Sequence, residues 1–415
     1  MADETDHVEK DGEKMLIHWI WFAQLKKISC AQKWQMLQHF SDPEEIYHSD
    51  ETALKEIGFL SADALAVLEE KDLTEALQIL QECEDKGIHL LTIADDAYPR
   101  RLRNTFDPPM VLYFRGKLPD WNDTPVIGIV GTRKATAYGC NTARQFGAQI
   151  AACGALVVSG AADGVDAMAM YGALDVGKPV VGVLGCGVDV VYPKKNQQLF
   201  DLTAANGCLI SEYPPRTPGN AWHFPQRNRI ISGISNGLLV VEAPKKSGAL
   251  ITVERALEQG RDVYAVPGPV DNPFCEGSNA LLQDRASAAL SGWNVVKEYD
   301  ALYPGRLKNA AVLQPPLRVA QEPEIPVISK GKSPAPDKKS IDNRDKSTYS
   351  VVNKPAPALT QEEQGVLAQI GMEPVLVDEL VDRLGLSAGA VKAVLTKLAI
   401  KGLTKNHPGG RVSRK

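Results

Sequence analysis

Arginine, asparagine and lysine side chains stand close together in two neighbouring stretches of this sequence. The first stretch, residues 222–232, holds Arg227, Asn228 and Arg229, and the second is residues 245–248, Lys-Lys-Ser-Gly. Guanidinium forks, amide groups and glycine-opened backbone are suited to holding phosphates and bases. The pattern therefore favours a nucleic-acid binder over a protein that breaks bonds.

The two arginines are predicted to lie at the start of a helix. A pair of cations at a helix N-terminus opposes the helix dipole, so Arg227 and Arg229 are expected to have an anionic partner there. A phosphate is one such partner. Internal salt bridges to Glu212 or Glu242 are the alternative.

A glycine turn at residues 131–133, Gly-Thr-Arg, follows the apolar run 126–130. Backbone N–H groups at such a turn attract anions, and Arg133 can fork onto a phosphate. A dinucleotide cofactor fits poorly, because Gly-x-Gly-x-x-Gly spacing is absent and the next apolar run ends in Ser159 and Gly160 instead of an acidic residue. A turn that serves only packing is the other alternative.

Several further polar side chains are given structural or binding roles. Asp163 and Asp166 are expected to cap a helix rather than to act as catalytic carboxylates. Ser247 has no base assigned to it and is predicted to donate a hydrogen bond to phosphate. His223 is expected to be packed or hydrogen-bonded, because no acid and nucleophile occur at a spacing that gives it a catalytic role.

The composition is that of a globular protein with two or three domains: 415 residues, 44% of them hydrophobic. No apolar run reaches the roughly eighteen residues that a membrane helix needs, and the N-terminal residues are acidic, so no membrane association and a cytoplasmic location are expected. The seven cysteines include no Cys-x-x-Cys pair. Neither a disulfide framework nor a metal site is therefore expected.

Charge is unevenly distributed along the chain, whose formal net charge is −5. Residues 1–94 carry 20 acidic and 8 basic side chains, whereas residues 95–305 carry 20 of each. An acidic segment repels a polyanion, while a neutral one still forms a positive groove if its cations converge. Contact with DNA is therefore predicted in the middle of the chain.

Hydrophobic spacing divides the chain into four parts. Residues 1–94 are predicted to form a small helical domain, residues 306–357 a flexible Pro- and Lys-rich linker, and residues 358–415 a winged helix. Residues 95–305 alternate helical stretches with apolar runs that suit strands buried on both faces, which predicts an α/β domain with a doubly wound, mostly parallel sheet. The predicted strands are 126–130, 156–159, 180–184, 208–211, 238–241 and 263–266.

Over residues 100–300 the chain resembles the DNA-processing protein A family, also called DprA or Smf. The resemblance rests most specifically on residues 131–133, Gly-Thr-Arg, 227–231, Arg-Asn-Arg-Ile-Ile, and 247–252, Ser-Gly-Ala-Leu-Ile-Thr. It implies an extended Rossmann-like core between a sterile-alpha-motif-like helical domain and a winged helix. It also implies a homodimer through that core, which binds and protects incoming single-stranded DNA and loads the RecA recombinase during natural transformation, without catalysis, cofactor or metal.

Carried over residue by residue, the resemblance implies a strand-binding site, to which the cationic turn adds Lys245. The candidate DNA-binding residues are Gly131, Thr132, Arg133, Ser159, Gly160, Lys194, Arg227, Asn228, Arg229, Lys245, Ser247 and Gly248. The winged helix is expected to contact either duplex DNA or a protein.

Two rival functions remain open from the sequence. Nucleotide phosphoribohydrolases of a related Rossmann fold have a Pro-Gly-Gly-x-Gly-Thr loop and a glutamate, and Glu254 is available here. The corresponding loop at residues 244–248 has lysines where the double glycine would be. A scaffold for RecA that has no DNA pocket is the other rival.

Overall fold

A computed structural model of the chain describes residues 15–310 and, towards the C-terminus, residues 361–371, 375–384, 391, 394, 395, 397, 398, 403–407 and 411–414. The chain divides into two compact units, Met1–Glu324 and Ile325–Lys415. Each unit has a hydrophobic core of its own among the described residues.

Short helices make up the N-terminal part of the first unit, as predicted. They are α1 (described over residues 15–24), α2 (Cys30–Met36), α3 (Pro43–His48), α4 (Glu51–Glu56), α5 (Ala62–Glu69), α6 (Thr74–Lys86) and, further on, α7 (Arg100–Arg103). Serine or aspartate side chains cap the N-termini of α2, α3, α4 and α5, which satisfies backbone N–H groups that have no partner within the helix. The apolar faces of these helices belong to the same core cluster as the strands that follow.

A nine-stranded sheet forms the centre of the first unit. Its strands are β1 (His89–Thr92), β2 (Val111–Gly116), β3 (Val126–Val130), β4 (Leu156–Ser159), β5 (Val180–Val183), β6 (Cys208–Ser211), β7 (Gly237–Val240), β8 (Asp262–Ala265) and β9 (Ser287–Ala288). Their spatial order is β1-β2-β6-β5-β4-β3-β7-β8-β9. Strands β1, β2 and β6 pair antiparallel, and all pairs from β6 to β9 are parallel.

Strands β3 to β7 are buried along their whole length. Valine, isoleucine and leucine fill both faces of these strands, which is the pattern of a parallel sheet covered on both sides. The six strands predicted from the sequence agree with the observed ones to within one residue at each end. The predicted boundary at residue 94, by contrast, falls between β1 and β2, two strands that pair with each other.

Helices connect the parallel strands. They are α8 (Ala137–Ala152), α9 (Val165–Asp175), α10 (Gln197–Asn206), α11 (His223–Ile234), α12 (Ala249–Glu258), α13 (Glu276–Leu281) and α14 (Gly292–Val296). The chain proceeds from β3 through β4 and β5 to β6, and α11 then returns it to β7 on the opposite side of β3. At such a reversal the loops beyond the strands' carboxyl ends diverge and leave a crevice, which is where ligands bind in doubly wound sheets.

The second unit is a winged helix. Helices α15 (Gln361–Ala368) and α16 (Val377–Leu384) and the strands β10 (Val375–Leu376), β11 (Thr404–His407) and β12 (Arg411–Arg414) are described, with strand order β10-β12-β11. The described positions at 391, 394, 395, 397 and 398 are helical. The buried side chains repeat the apolar spacing seen in the sequence, for example Val366, Leu380, Val391 and Leu398. Most of the predicted linker lies outside the described residues.

Candidate nucleic-acid interface

A crevice of about 660 Å³ opens beyond the carboxyl ends of β3, β4 and β7. It is lined by residues 130–134 after β3, by Ala162 and Asp166 after β4, by much of the segment 244–252 after β7, and by residues of α11. Tyr192 and Gly219 complete its rim. These loops meet at the reversal of strand order, so the topology itself produces the site.

Positive charge dominates the lining of the crevice. Its described residues include four cations, Arg133, Lys134, Arg227 and Lys246, and one carboxylate, Asp166. Within the described part of the chain, the structure shows no salt bridge that engages Arg133, Lys134 or Lys246. A concave surface lined by one sign of charge concentrates the field and attracts a polyanion.

Arg227 forms the floor of the crevice. Its guanidinium is buried and donates hydrogen bonds to the carbonyl oxygens of Gly160, at 2.8 Å, and of Val183. Burial lowers the pKa of Arg227 to about 10, and the negative charge of Asp166 opposes that effect. The side chain therefore remains cationic at neutral pH, and its carbonyl partners fix its position.

Asp166 lies beside this arginine and is also buried. Its Oδ2 accepts a hydrogen bond from the backbone N–H of Gly160 at 3.1 Å. Burial raises the pKa of Asp166 to about 6, against the lowering effect of Arg227 and of nearby N–H groups. Gly160 is required at this point, because a Cβ there would come within 2.5 Å of Asp166 and 2.6 Å of Arg227.

An aromatic stack stands at one side of the crevice. The rings of Tyr192 and Phe224 are 5.3 Å apart and inclined by 27°, and the guanidinium carbon of Arg133 lies 4.9 Å from the centre of the Phe224 ring. Tyr192 is 44% exposed. A ring held in this way offers a face on which an unpaired base can stack, next to a cation for its phosphate.

The cationic turn after β7 contributes backbone and hydroxyl groups. Ser247 Oγ accepts a hydrogen bond from Ala249 N–H at 3.2 Å, and Gly248 is the N-cap residue of α12. Both Ser247 and Gly248 line the crevice, as does Asn228, whose Oδ1 accepts from Arg227 Nε at 3.2 Å. The structure thus brings together seven of the candidate residues, Gly131, Thr132, Arg133, Arg227, Asn228, Ser247 and Gly248.

Four other candidates lie around the crevice without lining it. Ser159 is buried, and its hydroxyl donates to the carbonyl oxygen of Ile129 at 2.6 Å. Gly160 accepts a hydrogen bond from the Arg227 guanidinium through its carbonyl oxygen and donates one from its N–H to Asp166. Lys194 is exposed in a short helical turn that follows Tyr192, and Lys245 is exposed with its Nζ 3.5 Å from Glu276.

Arg229, the remaining candidate, occupies a different environment. Its guanidinium is buried, pairs with Glu212 and lies 3.3 Å from Asp107. The internal salt bridge considered as an alternative is therefore what the structure contains, with Glu212 as the partner. The expected phosphate contact of Arg229 is replaced by this pair, because the guanidinium has carboxylate partners and does not reach the crevice.

Two predictions about helix ends are wrong. Helix α11 begins at His223, so Arg227 and Arg229 lie in its middle, away from the positive end of the helix dipole. Helix α9 begins after Gly164, whose backbone adopts a φ of 73°, and no side chain caps it. Asp166 does lie in the first turn of α9, where a negative charge suits the helix dipole as expected, but its carboxylate accepts a hydrogen bond from Gly160, and Asp163 pairs with Lys195 at 3.0 Å.

His223 and Glu254 both lie outside the crevice lining. The His223 ring is buried, stacks on Tyr213 at 4.0 Å and has its Nδ1 3.1 Å from the carbonyl oxygen of Gly185, as expected for a packed histidine. Glu254, the candidate of the enzyme hypothesis, is exposed and paired with Arg285 at 2.8 Å. Its carboxylate is not part of the crevice lining.

Several lining residues were not among those predicted from the sequence. Lys134 and Lys246 each stand next to a predicted cation, so their positions within the same loops were the available signal. Phe224 could have been singled out because it precedes Arg227 by three residues, which places both on one helix face. The proximity of Asp166 to Arg227 had no local signal, because the two residues lie on different helices, α9 and α11.

Other types of site are not found in the described part of the chain. Among those residues there is no cluster of three or more histidine, cysteine, aspartate or glutamate side chains that could hold a metal. All seven cysteines are free. No described helix has the length and apolar character needed to cross a membrane.

Comparison with known proteins agrees with the fold. The family profile described as DNA recombination-mediator protein A matches residues 89–300, and the profile of the DprA winged helix domain matches residues 353–410. Protein Smf of Synechocystis is 32% identical over 408 residues, which cover 96% of this chain and 98% of that protein. The DNA processing protein DprA of Bacillus subtilis is 40% identical over 221 residues, covering 53% of this chain and 74% of its own length.

A solved structure supports the same assignment. The X-ray structure of DprA from Streptococcus pneumoniae superimposes with a TM-score of 0.60 and 31% sequence identity, covering 68% of this chain and 97% of that one. The profile match spans about half of the chain, and the Synechocystis relative spans nearly all of it. The chain is therefore a member of the DNA recombination-mediator protein A family, the DprA/Smf family.

Proposed function

We propose that the chain binds single-stranded DNA in the crevice beyond β3, β4 and β7. The observation that carries this proposal is the lining itself, in which four cations stand against one carboxylate. Exposed Arg133, Lys134 and Lys246 supply phosphate contacts, and buried Arg227 supplies a fixed positive charge beneath them. Family membership supports a role in DNA metabolism.

The shape of the crevice favours a single strand over a duplex. A volume of about 660 Å³ is in the range of small-ligand clefts, roughly 300–1,000 Å³, and accommodates a short stretch of unpaired strand. The Tyr192 and Phe224 stack offers a surface for bases, which are available for stacking only when they are unpaired. A duplex presents phosphates but keeps its base faces covered.

Binding without catalysis is part of the proposal. Asp166 is the one carboxylate among the described lining residues. It accepts a hydrogen bond from Gly160 N–H and lies next to Arg227. The phosphoribohydrolase hypothesis needs a glutamate in the site, and Glu254 is paired with Arg285 outside it. Incubation with nucleoside monophosphates is expected to release no free base; release of base would support the enzyme instead.

Protection of the incoming strand and its delivery to the RecA recombinase are the cellular role that membership in a recombination-mediator family supports. We further propose a homodimer through the Rossmann-like core, acting in the cytoplasm. Light scattering on the purified protein tests the dimer. RecA filament formation on single-stranded DNA, with and without the protein, tests the delivery.

A gel-shift series tests the central proposal. The full chain is titrated into a single strand and into the duplex of the same sequence, at a low and a moderate salt concentration. The expected result is preferential binding of the single strand, with an affinity that falls as salt rises because bound counterions are released. Equal affinity for both forms, or an affinity independent of salt, would contradict the proposal.

A further inference from the structure

Glu242 is a fully buried carboxylate that follows β7, and it sits on the N-terminal end of α8. Its Oε2 accepts a hydrogen bond from the backbone N–H of Thr136 at 2.8 Å, and its Oε1 accepts from the Thr136 hydroxyl at 2.7 Å. Thr136 is the N-cap residue of α8, a helix of 16 residues. Free N–H groups and the helix dipole favour negative charge at this place.

The carboxylate of Glu242 is packed closely against the first turn of α8 and has no cationic partner among the described residues. A Cβ on Gly139 would lie 2.2 Å from Glu242 Oε2, so the first turn of α8 requires a glycine there. Within the described residues no lysine, arginine or histidine pairs with Glu242. The thiol groups of Cys140 and Cys275 are its other neighbours: their pKa values are raised, by burial first and then by the charge of Glu242.

The backbone of Glu242 also holds the crevice loop. Its carbonyl oxygen accepts a hydrogen bond from Thr132 N–H at 2.7 Å. Together with the side-chain bonds to Thr136, this contact fastens both ends of the segment 132–136, which carries Arg133 and Lys134 into the crevice. Glu242, which follows β7, thus fixes the loop that follows β3.

The position of this carboxylate is informative for ligand selection. In doubly wound sheets that bind dinucleotides, the pyrophosphate lies at the N-terminus of the helix that follows the first parallel strand. Here β3 is the first parallel strand in chain order, and α8 follows it. A carboxylate of the chain itself occupies the place that a cofactor phosphate takes in those proteins.

We propose that Glu242 is a selectivity and positioning residue of the crevice. It excludes phosphate groups from the N-terminus of α8, so that mononucleotides and dinucleotides are not retained there. By fixing residues 132–136, it also directs the phosphates of a strand to Arg133 and Lys134. The second part rests on the proposed binding of single-stranded DNA, whereas the first part does not.

The test compares Glu242→Ala with the wild type in the full chain, using inorganic phosphate and an oligothymidylate as probes. Phosphate binding is followed by calorimetry. Glu242→Ala is expected to bind phosphate in the millimolar range where the wild type does not, because the helix N-terminus is uncovered. Its affinity for the oligonucleotide is expected to fall about tenfold, since the loop loses hydrogen bonds to a charged group.

Glu254→Ala is the matched control, because it removes an exposed glutamate that lies outside the crevice lining. It is expected to change neither measurement. A folded Glu242→Ala variant that binds phosphate no better than the wild type would overturn the exclusion. Failure of the wild type to bind the oligonucleotide would overturn the proposed function instead, and the phosphate result would be unaffected.

If Glu242→Ala does not fold, Glu242→Gln takes its place. Glutamine fills the same space but lacks the negative charge, so the first turn of α8 is expected to open more readily. Amide hydrogen exchange at Thr136 and in that turn should then be at least about tenfold faster than in the wild type, with the rest of α8 unchanged. Unchanged exchange at Thr136 would overturn the role of Glu242 in fixing residues 132–136.

Discussion

Arg227 and Arg229 lie two residues apart on α11 and have their guanidinium groups in two separate environments. Arg227 donates to the carbonyl oxygen of Gly160 beneath the crevice, whereas Arg229 pairs with Glu212 and Asp107. A helix turns by about 100° per residue, so side chains two positions apart point about 200° apart. One short motif therefore supplies both the crevice floor and an internal salt bridge.

Replacement of Arg229 should affect stability and leave DNA binding intact. Arg229→Ala removes a buried cation and leaves the partly buried carboxylate of Glu212 without a partner, which is expected to cost about 3–5 kcal/mol of unfolding free energy. Chemical denaturation measures that loss, and binding of the folded variant to a single strand should stay within about twofold of wild type.

Arg144→Ala serves as the control for Arg229, because Arg144 forms an exposed pair with Asp175. Its loss should cost about 1 kcal/mol or less. Reduced DNA affinity of Arg229→Ala at unchanged stability would show that Arg229 contacts the strand after all.

Tyr192 is predicted to stack on a base. Tyr192→Ala removes an exposed ring from the Phe224 stack, and it is expected to weaken single-strand binding by about 1–3 kcal/mol. Fluorescence anisotropy with a labelled oligonucleotide measures the change. Phe106→Ala is the control, since Phe106 is 82% exposed and does not line the crevice. Equal effects of the two substitutions would argue against stacking at Tyr192.

Single-strand affinity should increase as pH falls through about 6. Burial raises the pKa of Asp166 to about 6 from its ordinary value of 3.8. The raised pKa makes the folded chain more stable below about pH 4, and this contribution to folding stability is lost as pH rises through 6. Below pH 6 the side chain is neutral, and the crevice becomes more positive.

The Asp166→Asn variant isolates this effect. It should bind the strand about two- to fivefold more tightly than wild type at pH 7.5, because one negative charge near the phosphates is gone. Its affinity should change less between pH 5 and pH 7.5 than that of the wild type. Identical pH profiles of the two proteins would exclude Asp166 as the titrating group.

The winged helix is predicted to be dispensable for single-strand binding. The crevice is lined entirely by residues between Val130 and Thr252, within the unit Met1–Glu324. A chain that ends at residue 324 should therefore keep its affinity in a gel shift. A loss greater than about tenfold, some 1.4 kcal/mol, would mean that the second unit contributes contacts to the strand.

Much of the architecture could be predicted from the sequence because buried parallel strands are apolar throughout. Runs such as Val126–Val130 have few other structural explanations, and glycine turns mark their ends. The location of the crevice followed from the same reasoning, since loops after parallel strands share one edge of the sheet.

What the sequence could not provide was the direction of individual side chains. Helix α11 begins four residues before Arg227, and that offset decides which arginine faces the crevice. The partners Asp166 and Glu212 come from other elements, so their pairing depends on tertiary packing. Glu242 was considered only as a salt-bridge partner, because its contact with the α8 N-terminus joins residues 106 positions apart.

The salt dependence of the Arg133→Ala variant tests the central claim most directly. Arg133 is exposed, without a carboxylate partner among the described residues, and lies against Phe224 in the crevice. Its loss should weaken single-strand binding and reduce the slope of log affinity against log salt by about 0.7, the value for one lost phosphate contact on a single strand. An unchanged affinity and slope would contradict the assignment of the crevice as the DNA-binding site.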